Sequence, residues 1–242
     1  MSLGMFSIIP VPKNSWNEKH MPLIIPCLPL VGLLIGLVWY GTAHLLHQLS
    51  TPQPIQNAAV LFAPMILTGF IHIDGYMDTA DAVFSRADLE TKKRILKDPK
   101  AGAFAVIAIA GMILFQYSAI QTIIDAQKTY LTFAFIPPIS RCAAGIAMLR
   151  LKPVFETGYN VAFRKNTKPR HTVFICITAA IILTTAWFAL RILALPLLAG
   201  TLAGTLATLY LYKQFKGMSG DLCGCVITIG ELAALLCMAI VP

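Results

Sequence analysis

Asp74, Asp78 and Asp81 stand at i, i+4 and i+7 in TGFIHIDGYMDTADAVFSR, residues 68–86, at the end of a long apolar run. The chain holds only 11 acidic residues in 242, so three on one short segment need a reason. On a helix this spacing puts all three on one face. Like charges at i, i+4 destabilise an isolated helix by about 0.2–0.5 kcal/mol per pair, and a lipid boundary raises that by removing water. A merely solvated face would interleave lysines, as the next segment does. The physical remedy is a divalent cation. Carboxylates from one helical face suit Mg²⁺, which keeps some waters and takes phosphate oxygens from a substrate at its other positions. A Mg²⁺ site on Asp74, Asp78 and Asp81 is therefore expected, since ionisable residues at membrane depth are functional by default. The competing reading is a polar helix end steadied by the basic loop after it.

Other side chains bear on the same chemistry. His72 lies two residues before Asp74 and points to the other face, as a substrate contact, a proton carrier or an interfacial ring. In KDPKAGAF, residues 97–104, Asp98 before Pro99 fits a turn or a helix start. Gly102 lets backbone approach a ligand, and Lys97 and Lys100 can grip phosphate; taken alone, the stretch reads as an N-cap with lysines at the membrane edge. Ser140 and Arg141 fall inside an apolar run, where an arginine needs a partner or a wet cavity. In GMSGDLCGCVITIGE, residues 217–231, Asp221 opens the last apolar run level with the aspartate trio and is a candidate ligand from a second helix. Glu231 is roughly 15 Å deeper at 1.5 Å per residue and is expected to pair with a buried cation or polar group, with Arg141 a candidate partner by depth alone.

The elements that must position these groups follow from composition. The chain is 57% hydrophobic and 12% charged, about half the charged share of a soluble domain. From His20 to Ile73 it has no Lys, Arg, Asp or Glu. Such runs read as membrane helices, so the fold class expected is an all-α polytopic integral membrane protein, a single catalytic domain over 1–242. Seven spans are placed at about 22–46, 58–73, 102–123, 130–149, 172–190, 192–212 and 222–241. No cleavable signal peptide is evident, so the first span is expected to be retained.

Seven spans gather the basic segments on one side: Lys13 and Lys19; Arg86 to Lys100; Arg150 to Arg170, with Lys165 among them; Lys213 and Lys216. The other side keeps Lys128 and Arg191. By the positive-inside rule the basic side is cytoplasmic, with the N-terminus in and the C-terminus out. The net charge of +8 is accounted for in this way and signals no nucleic-acid partner. The six cysteines read as small buried apolar residues, and the isolated Cys223-x-Cys225 pair is weak as a metal site. His20, His44, His47 and His171 have no ligand spacing and read as interfacial. Carboxylates on one helix, a further carboxylate at a second helix mouth and basic residues on the same side suit metal-assisted transfer of a phosphate group at a membrane face.

At these residues the chain resembles the cobalamin synthase family, the adenosylcobinamide-GDP ribazoletransferases. Ile9 to Pro12 (IPVP) is similar to an LPVP-type start, and Pro29 to Gly36 (PLVGLLIG) to a PLIGLLLG-like first span. Thr68 to Ala82 (TGFIHIDGYMDTADA) matches TGGxHLDGLADTxDG. Lys97 to Ala105 matches KDSRxGxxG, and residues 217–231 match GxTGDxLGAxxExxE. The chain departs at Ile8, Phe70, Ala82, Pro99, Lys100 and Thr228, which replace an arginine, two glycines, the Ser-Arg of KDSR and a glutamate. The resemblance implies the last joining step of coenzyme B12 assembly. The donor is adenosylcobinamide-GDP, the acceptor is α-ribazole or its 5′-phosphate, and GMP leaves. With it come Mg²⁺ on Asp74, Asp78, Asp81 and Asp221, and candidate catalytic roles for His72, Asp81 and Asp98. The candidate substrate contacts are Arg86, Lys97, Lys100, Gly102, Ser140, Arg141 and Glu231.

The place implied is a prokaryotic inner membrane, with the site facing the cytoplasm and the lipid bilayer as a partner; a homo-oligomer is compatible with it. Two rival readings remain. A CDP-alcohol phosphotransferase also sets spaced aspartates beside a membrane helix, but needs Ala-Arg after the first Asp-Gly, where Tyr76-Met77 stand here. A cation-coupled transporter should carry acids near the midplane, where only Glu231 lies.

Overall fold

The structure is a computed structural model that describes residues 1–12, 17–156, 159–164 and 167–241; Lys13 and Lys165 lie outside them. The described residues form helices throughout, with one isolated β-bridge between Pro153 and Met218. The order is α1 (Ser2–Phe6), α2 (Leu28–Gln48), α3 (Gln53–Leu67), α4 (Ile71–Phe84), α5 (Leu89–Ile95) and α6 (Ala103–Asp125). Then come α7 (Thr132–Arg150), α8 (Tyr159–Arg164), α9 (Pro169–Leu190), α10 (Leu195–Phe215) and α11 (Gly220–Ile240). The expected all-α membrane architecture is therefore found.

α7 is the hub. Of its most apolar 18-residue window 83% is buried, against 28% for α6, so α6 turns its apolar surface outward, as a lipid-facing helix must. α7 is approached closely because its neighbours offer glycine. A Cβ on Gly32 of α2 would stand 2.7 Å from the Pro137 carbonyl oxygen, and one on Gly36 would stand 2.8 Å from the Ala134 carbonyl carbon. The same device joins α10 to α11, where a Cβ on Gly200 would meet the Gly230 carbonyl oxygen at 2.7 Å. Small residues at helix contacts replace the hydrophobic drive that lipid cannot supply.

Five helical stretches are long and apolar enough to cross a membrane, or six when the bent pair α3–α4 is taken as one. One of the five is a 47-residue run from Pro169 to Phe215. At 1.5 Å per residue it would extend about 70 Å, over twice a hydrocarbon core. The run folds back. Its start, Pro169 and Thr172, lies beside Arg150 at the end of α7. Just past its far end, the Met218 N–H donates to the Lys152 carbonyl at 2.7 Å. The turn comes at Arg191, which has φ +56°. α9 and α10 are thus two crossings, in accord with the expected seven.

Span two differs from its expected course. Residues 58–73 were to run straight into the aspartates; instead α3 ends at Leu67 and α4 leaves it at 90°. Gly69 and Phe70 both have φ +61° and break the helix. Thr68 Oγ1 donates to the Pro64 and Met65 carbonyls, each at 3.0 Å, and closes the end of α3.

The ends of the bundle differ in charge. At one end, Lys92 Nζ donates to Gln214 Oε1 at 2.6 Å, Lys97 Nζ sits 3.8 Å over the Phe155 ring, and Arg164 donates to the Leu151 carbonyl. The 3-10 turn Glu18–Leu23 packs on α8 there. At the other end, Gln53 donates to Asp125, and Lys128 Nζ donates to the Met238 and Ala239 carbonyls at 2.9 Å each. The described basic segments thus share one end of the molecule.

Candidate active site

α4 divides its faces as its spacing requires. His72, Gly75, Thr79 and Ala80 are buried, while Asp74 is exposed and Asp78 and Asp81 are partly exposed. The buried face lies on α11. A Cβ on Gly75 would stand 2.6 Å from the Asp221 carbonyl oxygen and 2.8 Å from its Cα, and one on Gly224 would stand 3.2 Å from the His72 Cα. Two glycines therefore let the backbones touch, and the contact carries Asp221 to the edge of the aspartate face. Ser219 caps α11 by accepting the Leu222 N–H at 3.2 Å, which fixes the first turn that holds Asp221. Thr228 Oγ1 donates to the His72 carbonyl at 3.3 Å and ties the two helices again. This threonine replaces the glutamate of the late motif, and its role here is that tie.

The four carboxylates form one electrostatic group: Asp74, Asp221 and Asp81 all act on Asp78 through their charge. Among the described residues the ion pairs are Lys93–Glu90 and Arg141–Glu231, so no Lys or Arg neutralises the group. Oxygen donors only, anionic and without a protein counter-charge, are the donor chemistry of Mg²⁺. As the side chains stand, no three His, Cys, Asp or Glu among the described residues close on a metal-holding point. The Cβ atoms of an i, i+4 pair are about 5–6 Å apart, so Asp74 and Asp78 can be brought together by side-chain rotation.

Gly102 is the N-cap of α6, at φ −85° and ψ 175°. A Cβ on it would stand 2.6 Å from the Asp81 carboxyl carbon. The glycine expected to admit a ligand thus makes room for Asp81. Asp98 accepts the Lys100 N–H at 3.0 Å in an exposed turn, the turn alternative of the sequence reading. Arg86, Lys97 and Lys100 are exposed, and Lys97 rests on Phe155.

The remaining candidates lie apart from this face and on one another. Arg141 Nη1 meets Glu231 Oε1 at 2.6 Å and the Pro137 carbonyl at 3.0 Å, and Ser140 Oγ donates to Glu231 Oε1 at 3.0 Å. Of the partners open to Arg141 and Glu231, the structure has them on each other, the candidate pairing by depth. The sequence reading passed over Gln116, which is buried in α6 close to this pair. Its signal was an amide in the middle of the apolar run 102–123, where Gln121 is the other one. Gly75, Gly224 and Phe155 were also not singled out, and only packing reveals them.

Residues 1–239 match the family model described as CobS, cobalamin-5-phosphate synthase. Curated relatives named adenosylcobinamide-GDP ribazoletransferase align along the whole length. One from Clostridium perfringens (strain SM101 / Type A) is 32% identical, covering 100% of this chain and 96% of its own. One from Clostridium botulinum (strain Alaska E43 / Type E3) is 32% identical over 97% and 94%, and one from Geobacillus kaustophilus is 31% identical over 96% and 90%. No solved structure matches the chain. With the five motifs in order, the family model over nearly every residue and relatives of the same length, the chain belongs to the CobS family of cobalamin-5-phosphate synthases.

Proposed function

We propose that the chain transfers adenosylcobinamide phosphate from adenosylcobinamide-GDP to α-ribazole or its 5′-phosphate. A ribose hydroxyl of the acceptor attacks the phosphorus bound to cobinamide, the bond from that phosphorus to the GMP oxygen breaks, and GMP leaves. The observation that carries this reading is the un-neutralised carboxylate face of α4 with Asp221 beside it, at the basic end of the bundle.

Asp74, Asp78 and Asp221, with Asp81, would hold Mg²⁺, which supplies charge neutralisation for the donor's diphosphate. One carboxylate of the group takes the proton from the attacking hydroxyl. Lys97, Lys100 and Arg86 line the approach and bind the phosphates of the donor, where a cation eases departure of GMP. The half-dry boundary strengthens each of these interactions. The basic end faces the cytoplasm of a prokaryotic inner membrane, as its lysines and arginines favour.

Release of GMP from adenosylcobinamide-GDP by purified protein in the presence of α-ribazole tests the activity. Asp78→Asn, titrated with Mg²⁺, tests the ligand set. Turnover close to wild type at every Mg²⁺ concentration would end the metal assignment, and release of CMP from a CDP-alcohol would move the chain to the rival chemistry.

A further inference from the structure

At the centre of the bundle, where α2, α3, α4, α6, α7 and α11 converge, lies a cavity of about 20 Å³. Its wall is largely apolar, with Trp39 and Met65 among its residues, but His72, Gln116, Arg141 and Glu231 also line it. His72 is 8% exposed and Arg141 1%. Nε2 of His72 and Nε of Arg141 nevertheless have no hydrogen-bond partner among the protein atoms. A buried donor left unsatisfied is unfavourable, and more so on a charged group. Two residues carrying an unpartnered buried nitrogen line this one cavity, which points to a shared ligand. Roughly 10–15 Å³ suffices for a water molecule, whereas a phosphate or a nucleoside needs far more.

We propose that this chamber holds one water molecule that joins His72 to the Arg141–Glu231 pair. Arg141 Nε–H donates to it, His72 Nε2 bonds it, and the Gln116 amide and the Glu231 carboxylate complete its shell. The anchor is rigid. Arg141 is held by Glu231 at 2.6 Å and by the Pro137 carbonyl at 3.0 Å, and its stem fills the space a side chain at Gly32 would need. His72 leaves α4 on the face opposite Asp74, so fixing its ring fixes the rotation of the helix and keeps the aspartates turned to the basic end. His72, Gln116, Arg141 and Glu231 are positioning residues on this account and touch no substrate. Only the activity readout below rests on the proposed transferase function.

The test compares His72→Gln with His72→Phe in the full-length protein. The glutamine amide reaches the place of Nε2 and keeps kcat close to wild type. Phenylalanine fills the space without a bond and lowers kcat by about tenfold or more, the scale of lost outer-shell partners, with KM for donor and acceptor unchanged. Gln116→Leu lowers kcat in the same way, and the double variant with His72→Phe is no worse than the poorer single one, because both remove the same water. A map that resolves waters shows density in the wild-type chamber and none in His72→Phe. A dry wild-type chamber would overturn the proposal. So would His72→Gln as inactive as His72→Phe, which would make the ring itself a proton carrier, or a raised KM at unchanged kcat, which would place these groups on substrate. Absence of ribazole transfer by the wild type would remove the activity reading, and the density would still decide this one.

Discussion

Gly102→Ala separates a catalytic from a structural use of the aspartate face. The added Cβ would stand 2.6 Å from the Asp81 carboxyl carbon. Carbon atoms rest about 3.5–4.0 Å apart, so the carboxyl must retreat by about 1 Å. Retreat is open to it, because Asp81 is partly exposed and forms no ion pair among the described residues. The backbone is not the obstacle either: φ −85° and ψ 175° suit alanine. Glycine is the better N-cap, which sets a stability loss of below about 1 kcal/mol. A displacement of that size at a reacting centre costs about 100-fold in rate, or about 2.7 kcal/mol. The expected result is kcat/KM for GMP release lowered about 100-fold, with the thermal midpoint in detergent moved by only a few degrees. Activity within about threefold of wild type, a difference of under 1 kcal/mol, would show that the place of the Asp81 carboxylate does not matter and would refute the reasoning.

Gly75→Ala should behave in the opposite way. Its Cβ meets backbone atoms of Asp221 at 2.6 and 2.8 Å, which cannot step aside, so overpacking should destabilise by about 1–3 kcal/mol and lower the thermal midpoint together with activity. Phe70→Gly should be tolerated or stabilising: φ is +61°, a conformation that costs an L-residue about 1–2 kcal/mol and glycine almost nothing, and a clear fall in midpoint would show that the ring's outward contacts outweigh the strain. For orientation, Lys100→Cys and Gln127→Cys sit exposed at opposite ends; in intact cells a membrane-impermeant maleimide should label the second, and label the first only after permeabilisation. The reverse pattern would invert the topology.

The spans were readable because lipid leaves few options: charge-free runs must be helices, and α6, α7, α9 and α10 begin and end within a few residues of a charged residue. The shared face of Asp74, Asp78 and Asp81 was equally readable, being fixed by the 3.6-residue period alone. What escaped was set by tertiary contact. The turn at Gly69 and Phe70 is sharpened by the Ile8 N–H, which donates to the Leu67 carbonyl at 2.9 Å, and no window around residue 70 contains that partner. Gln116 looked like a stray amide until α4, α7 and α11 placed His72, Arg141 and Glu231 around it. Thr228 departs from its motif in charge, yet its hydroxyl reaches a backbone carbonyl that only the α4–α11 crossing supplies.

The 90° turn is the step that makes the aspartate spacing usable. Had α4 continued α3 as a straight span, Asp74 to Asp81 would have stood about 32–42 Å beyond Gln53 at 1.5 Å per residue, past a hydrocarbon core of about 30 Å. There, the face would have been turned to bulk water, without the contact at Gly75 that brings Asp221 beside it. Laid across the bundle instead, the helix keeps one dry side, closed by Gly75, Gly224 and Thr228 against α11, and one side at the basic end. The carboxylates keep water on one side and are crowded enough by one another to favour a cation. Breaking the helix at Gly69 and Phe70 is thus a condition of the chemistry, and a variant that heals the break, with good helix formers at both positions, should lose turnover before it loses its fold.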